Sequence, residues 1–225
     1  MSAQAGFFTS SIGRKVVVAV TGVLLVLFVV MHLLGNLQLF AGAEKFNAYA
    51  AFLQSMGPGL WVARIGLVVI FLAHIVNAIQ LSRESRAARP EGYVYDNVVQ
   101  ASAASRSMAH TGILVLVFVI VHLLHFTLGI LQPEYYEFLD DQGRHDVYRM
   151  VVSGFQVPAF SLAYLFLMAV LGVHLSHGIS SVAQTVGLST MGNRKKIELI
   201  GASVAWLIAL GYISLPVSVL AGIIR

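Results

Sequence analysis

Five long stretches of this chain carry no charged side chain, and they dictate its class. Asp, Glu, Lys and Arg are absent from Val16 to Ala43, Ile65 to Ser82, Ser107 to Pro133, Met150 to Asn193 and Leu199 to Ile224. A helix needs roughly 20 residues to cross about 30 Å of hydrocarbon at about 1.5 Å per residue, and each stretch approaches or exceeds that length. Only 11% of the residues are charged, against about 25% in soluble domains, too few to cover a water-facing surface. The expectation is an all-α integral membrane bundle of five transmembrane helices, forming one domain over residues 1–225.

The spans are expected at about 14–40, 60–82, 107–131, 155–184 and 197–223. Gly57-Pro58-Gly59 breaks the chain before the second span and Gln132-Pro133 ends the third. Pro158 suits the first turn of the fourth, where its missing N–H does no harm, and Pro216 should kink the fifth. The first apolar run lacks a small-residue cleavage site and reads as a retained span.

Five spans put the termini on opposite sides. With the N-terminus inside, the inner segments hold Arg14, Lys15, Arg83, Arg86, Arg89, Arg106, Arg194, Lys195 and Lys196, and the outer side holds Lys45, Arg64, Arg144, Arg149 and Arg225. Nine basic residues against five favour a cytoplasmic N-terminus. The chain has no cysteine, which excludes thiolate-held iron–sulfur clusters, cysteine–zinc sites and disulfides. No GxGxxG or GxxxxGK run is present, and the connections are too short for a flavin or nucleotide domain. The formal charge of +4 gives no reason to invoke nucleic acid.

Of the eight histidines, His32, His74, His122, His125, His174 and His177 lie inside the spans, and His110 falls at the start of the third. Ionisable groups at membrane depth are costly and face an interior or a pathway. Counting along the helices, His32 stands about 12 Å and His122 about 14 Å from the outer ends of their spans, while His74 stands about 12 Å from an inner end. His174 and His177 also fall in the inner half. Two layers result, each supplied by two helices. Two imidazoles facing each other at one depth suit the axial positions of an iron porphyrin, and double histidine ligation favours electron transfer over oxygen chemistry. Gly22, Gly35, Ala78, Gly129, Gly172 and Gly178 are expected to make room for the rings. A zinc site lacks a nearby carboxylate or thiolate, and a proton-relay transporter lacks an obvious inverted repeat. Counting alone does not choose between His122 and His125, or between His174 and His177.

Several stretches bear a family likeness: VMHLLGN around His32, GAEKFNAYAAF from Gly42 to Phe52, LAHIVNA around His74, TGILVLVFVIVH ending at His122, and VHLSHG around His174. In this order, with ligand spacings of 42, 48 and 52 residues, the chain resembles the two-haem cytochrome b membrane subunit of succinate dehydrogenases and quinol:fumarate reductases over almost its whole length. The resemblance implies that His32 and His122 ligate an outer, distal haem b and that His74 and His174 ligate an inner, proximal one. His125 and His177 then lie one turn from ligands, as propionate or quinone neighbours or as structural histidines.

The resemblance further implies a non-flavin, quinone-reactive subunit of a succinate:menaquinone oxidoreductase or fumarate reductase in a prokaryotic cytoplasmic membrane, serving respiration and the tricarboxylic acid cycle. A flavoprotein subunit and an iron–sulfur subunit would dock on the cytoplasmic side, over the N-terminus and the basic segment from Arg83 to Arg106, with room for a higher oligomer of the complex. Menaquinone would react near the outer haem, with Glu44 as the candidate for proton exchange. Some fumarate reductases of this class carry a glutamate two residues before the fourth ligand, where this chain has Gly172. Arg14, Lys15, Arg83 and Arg106, or Lys45 and Arg64 on the other side, are the cations within reach of propionates. The rivals are another two-haem cytochrome, of the hydrogenase or ferric/ascorbate reductase type, and a haem-free anchor or transporter.

Overall fold

The computed structural model describes residues 6, 10–88 and 103–225. Helix α1 runs over Ser11–Asn36 and tightens into a 3-10 segment, Leu37–Ala41. Helices α2 (Ala43–Ser55) and α3 (Pro58–Ala87) follow. Helix α4 (Ala103–His122) continues as a π turn, Leu123–Thr127. Then come α5 (Pro133–Tyr136), α6 (Val147–Gln156), α7 (Pro158–Thr185) and α8 (Arg194–Leu220). Five of these elements are long and apolar enough to cross a membrane, and they are the five the sequence predicts. Among the described residues there is no strand, only an isolated bridge between Leu139 and His145.

Local signals set the ends. The Ser10 hydroxyl accepts a hydrogen bond from the Gly13 amide at 3.0 Å and caps α1. Pro58 and Pro158 stand at the starts of α3 and α7, where no N–H is needed. The third span ends earlier than expected, at Thr127 and not near Leu131. The π turn widens the helix there, and Gly129 at φ 63° reverses the chain beneath the Tyr136 ring, a position where a Cβ would stand 2.3 Å from that ring.

Helix α7 is central. It packs on α8, α4 and α1, while α3 packs mainly on α1. Its buried residues Ser161, Tyr164, Met168, Leu171, Gly172 and Leu175 recur every three or four positions and form one face. Against it α8 presents Gly201, Ala205 and Ala209, all buried at four-residue spacing. A Cβ on Gly201 would lie 3.3 Å from the Ser180 amide and 3.5 Å from the Ser176 carbonyl, so the two backbones nearly touch. Close approach of small residues is how helices adhere in lipid, where burial of apolar surface supplies no drive. Helix α3, by contrast, has no buried residue, although it carries His74. Its outward stripe of Trp61, Ile65, Val68, Val69, Leu72, Val76 and Ile79 is exposed, as a lipid-facing surface should be.

The end of the bundle where α1 finishes is capped. The stretch from Gly42 to Phe52, read from the sequence as an outer loop, is the helix α2. The residues just before the expected fourth span form the separate helix α6, which takes in only the first two positions of that span. Leu39, Phe46, Met150, Val151, Val152 and Phe155 form a core with Tyr164, Leu215 and Val219 of the spans. Asn47, 2% exposed, ties the cap together: its amide nitrogen donates to Asp146 at 2.9 Å and its oxygen accepts from the Tyr148 amide at 2.9 Å. Asp146 in turn caps α6 by accepting from the Arg149 amide.

Candidate functional site

The spans bring the histidines together in twos. His32 of α1 and His122 of α4 meet with ring centroids 5.8 Å apart, at an interplanar angle of 82°. Phe28 stacks on His32 at 5.4 Å, and Tyr212 and Phe118 complete the aromatic surround. At the other end of the bundle, His74 of α3 and His174 of α7 lie within electrostatic reach of each other. All four rings are partly exposed.

Each of the second couple is seated on a neighbouring helix. His74 Nδ1 lies 3.1 Å from Thr21 Oγ1, and His174 Nδ1 lies 3.2 Å from Thr111 Oγ1. The Thr21 hydroxyl donates to the Val17 carbonyl at 2.7 Å, and that of Thr111 to the Ser107 carbonyl at 3.1 Å. With its proton so used, each threonine oxygen can only accept from the ring. The rings therefore carry hydrogen on Nδ1, and Nε2 keeps its lone pair. Among the described residues no hydrogen bond engages the Nε2 atoms of His74 and His174.

His122 differs from His125 in the same terms. His122 Nδ1 is 3.3 Å from the Tyr164 hydroxyl and no partner engages its Nε2 among the described residues. His125, only 2% exposed, uses both nitrogens: Nδ1 is 3.1 Å from Tyr164 Oη and Nε2 is 2.6 Å from Gln132 Oε1. A consistent direction runs along this string. His122 Nδ1–H donates to Tyr164, the Tyr164 hydroxyl donates to His125 Nδ1, and His125 Nε2–H donates to Gln132. His125 is further fixed between Phe126 and Phe160, stacked at 3.9 and 4.4 Å. Sequence reading missed Thr21, Thr111, Tyr164 and Gln132. A polar side chain seven or more residues along the chain from the histidine it serves becomes visible as a partner only once helices are packed.

The expected glycine roles need correction. Gly22 faces His74 Cε1, where a Cβ would sit at 3.4 Å, and does not serve His32. Gly35 receives the Tyr49 ring, Gly129 makes a turn, and Gly172 packs on Ala209 and Trp206 of α8. Gly178 has no neighbour within 4 Å. The glycine that abuts His174, at 3.5 Å, is Gly112.

Glu44 lies in the first turn of α2, 69% exposed, and pairs with Arg144 at 2.9 Å and with Gln142. Partial desolvation works against ionisation of Asp140, but hydrogen bonds from Arg144 prevail and hold its carboxyl below the ordinary range. Of the cations considered for propionates, Arg14 is engaged with Glu84 of α3. Lys15, Arg83, Arg106, Lys45 and Arg64 are exposed, the last over the Trp61 ring. Arg89 and the rest of 89–102, within the segment expected to meet a partner, lie outside the described residues.

The two couples suit a metal that brings most of its own ligands. Imidazole nitrogen binds a metal at about 2 Å, so two rings across one metal have centroids about 6 Å apart, close to the spacing of His32 and His122. Among the described residues no cluster of three or more His, Asp or Glu could hold a bare ion. Haem, with four nitrogens of its own, fits this donor set. No curated protein and no solved structure matches the chain. Residues 82–211, more than half of its length, match the family model of the succinate dehydrogenase/fumarate reductase transmembrane subunit. The chain therefore belongs to that family of membrane subunits.

Proposed function

We propose that this chain is the two-haem b anchor and electron conduit of a succinate:menaquinone oxidoreductase or fumarate reductase. One observation carries the reading. His32 and His122 meet with ring centroids 5.8 Å apart, His74 and His174 are each seated through Nδ1 on a threonine of a neighbouring helix nearer the N-terminal face, and among the described residues no hydrogen bond engages the Nε2 of any of the four. His32 and His122 would hold the outer haem, and His74 and His174 the inner one. His125, with both ring nitrogens hydrogen-bonded, and His177, on which Glu198 of α8 acts electrostatically, are left to structural roles in this reading. Bound there, haem supplies one-electron carriage. The residues of the chain orient the ligands, keep water out of the bundle and join the two membrane faces.

The excess of basic residues at the N-terminal face supports a cytoplasmic location for it, and a flavoprotein and an iron–sulfur subunit would dock there. The opposite face, closed by α2 and α6, would serve menaquinone. Glu44, exposed at that face and paired with Arg144, is the proposed proton-exchange group. Haem quantification and redox titration of the purified complex test the reading. Two b-type components co-purifying with a flavoprotein and an iron–sulfur protein are expected; a colourless subunit or a nickel–iron partner overturns it. Glu44→Gln should slow quinone turnover and leave haem content intact, whereas unchanged turnover removes Glu44 from the scheme.

A further inference from the structure

Thr21 and Thr111 occupy the same place in two copies of one pattern. Thr21-Gly22 precedes His32-Leu33-Leu34 by the same eleven residues that separate Thr111-Gly112 from His122-Leu123-Leu124, with Phe28 and Phe118 in register between them. The likeness extends to three dimensions. In α1 the threonine holds His74 of the following span at 3.1 Å and the glycine abuts the same ring at 3.4 Å. In α4 the threonine holds His174 of the following span at 3.2 Å, with the glycine at 3.5 Å. Each copy is an outward helix and the inward helix that returns beside it. Each outward helix gives one histidine to the outer couple and one Thr-Gly seat to the inner couple. Both copies run in the same sense, so the repeat is parallel and not inverted, the kind related by an axis along the membrane normal. Helix α8 has no counterpart and instead adheres to α7.

We infer that the chain is built from two parallel copies of this helical hairpin, and that Thr21 and Thr111 are the positioning residues of the inner haem ligands. The inference rests on the proposed two-haem function. Its physical content is specific. Each hydroxyl commits its proton to the helix carbonyl one turn back, so its oxygen is a fixed acceptor for Nδ1–H. That selects the tautomer whose Nε2 is free, fixes the plane of the ring, and makes the nitrogen a stronger donor to metal. The glycine beside each threonine faces Cε1 of the same ring, where a Cβ would stand at 3.4 and 3.5 Å, in ordinary van der Waals contact. The outer couple has no Thr-Gly seat: His122 uses the Tyr164 hydroxyl instead, and among the described residues His32 has no hydroxyl within hydrogen-bond distance of its ring.

Thr21→Val and Thr111→Val keep shape and remove the acceptor. In the assembled complex each should shift the inner haem to higher midpoint potential, because a less basic imidazole stabilises ferric iron less. Each should also change the inner component's low-spin ferric resonance and weaken its retention by about 10- to 100-fold. The outer component should stay in place. Thr→Ser at either position should restore the inner component. Where a valine variant does not assemble, Thr→Cys, a weaker acceptor of similar size, should give an intermediate shift. The inner component is identified as the one lost in His174→Ala. Unchanged potential and resonance in the valine variants, or in the cysteine variants that replace them, overturn the assignment of the threonines, as does a shift confined to the outer component. A wild-type complex without two b-type haems overturns the functional reading and this inference with it.

Discussion

Tyr164 is the residue on which the outer couple turns. Its hydroxyl stands between His122 and His125 and its ring packs edge-on against Phe118, Phe126 and Phe155. Tyr164→Phe keeps those ring contacts and deletes two hydrogen bonds at once. The expected outcome is a shifted potential and about a 10- to 100-fold weaker hold on the outer haem, with the inner haem unchanged, read by redox titration and haem content. Exchanging His125 for Gln should retain both haems; loss of one would reverse the choice of His122 over His125. His145 shows a different residue-level effect, at the capped face. Burial holds its imidazole below the ordinary 6.5, and its Nε2 has no partner. A histidine that resists protonation when folded stabilises the fold above its unfolded pKa. That contribution is lost as pH falls below 6.5 toward the depressed value. Protease cleavage of the segment from Pro133 to Gln156 should therefore rise on acidification, and His145→Phe should flatten the dependence.

At the scale of helices, adhesion and capping separate cleanly. The α7–α8 contact depends on Gly201, whose missing side chain lets the Ser180 amide and Ser176 carbonyl come within van der Waals range. Gly201→Val pushes on backbone, which cannot rotate away as a side chain can, so about 1–3 kcal/mol of overpacking strain is expected, measurable as a lower melting temperature in detergent. Gly178→Ala, with nothing within 4 Å, should have no such cost. In the cap, Asn47→Leu deletes both bonds that join α2 to α6 and should cost about 2 kcal/mol. These details mark the limit of what the sequence disclosed. Charge-free runs reveal spans because lipid admits nothing else, and all five were legible. The helical nature of α2 and α6 was not, since short amphipathic helices carry no length signal of that kind. The histidine layers were legible because depth is a count along one helix. Which glycine faces which ring was not, because that depends on rotation about the helix axis, and Gly22 and Gly112 serve the histidine of a neighbouring span.

For the whole molecule, the proposed function makes the two couples a path for charge from one membrane face to the other, and the family match from 82 to 211 covers α4, α5, α6, α7 and most of α8. His32 and His74 lie outside that match, so their part rests on the couples they complete. His32→Ala and His122→Ala should therefore each remove the outer haem and spare the inner one. On the proposed reading, electrons cross the bundle where no carboxylate is placed to carry protons beside them. No Asp or Glu lies within the charge-free runs, and at Gly172 a carboxylate side chain would run into Ala209 and Trp206, where even a Cβ stands 3.1 and 3.3 Å away. If the proposed function holds, electrons moving outward from succinate travel uncompensated toward the positive face, which is worth about 2.3 kcal/mol per charge per 100 mV. An inside-negative potential should then drive succinate-dependent menaquinone reduction, and the reverse reaction should work against it. In sealed vesicles with the complex oriented as in the cell, collapsing the potential with an ionophore should slow succinate:menaquinone turnover. Reduction of a soluble dye at the flavoprotein, which moves no charge across the membrane, should continue at its former rate. Equal insensitivity of both reactions would mean that protons follow the electrons across, by a route that uses no carboxylate of the charge-free runs.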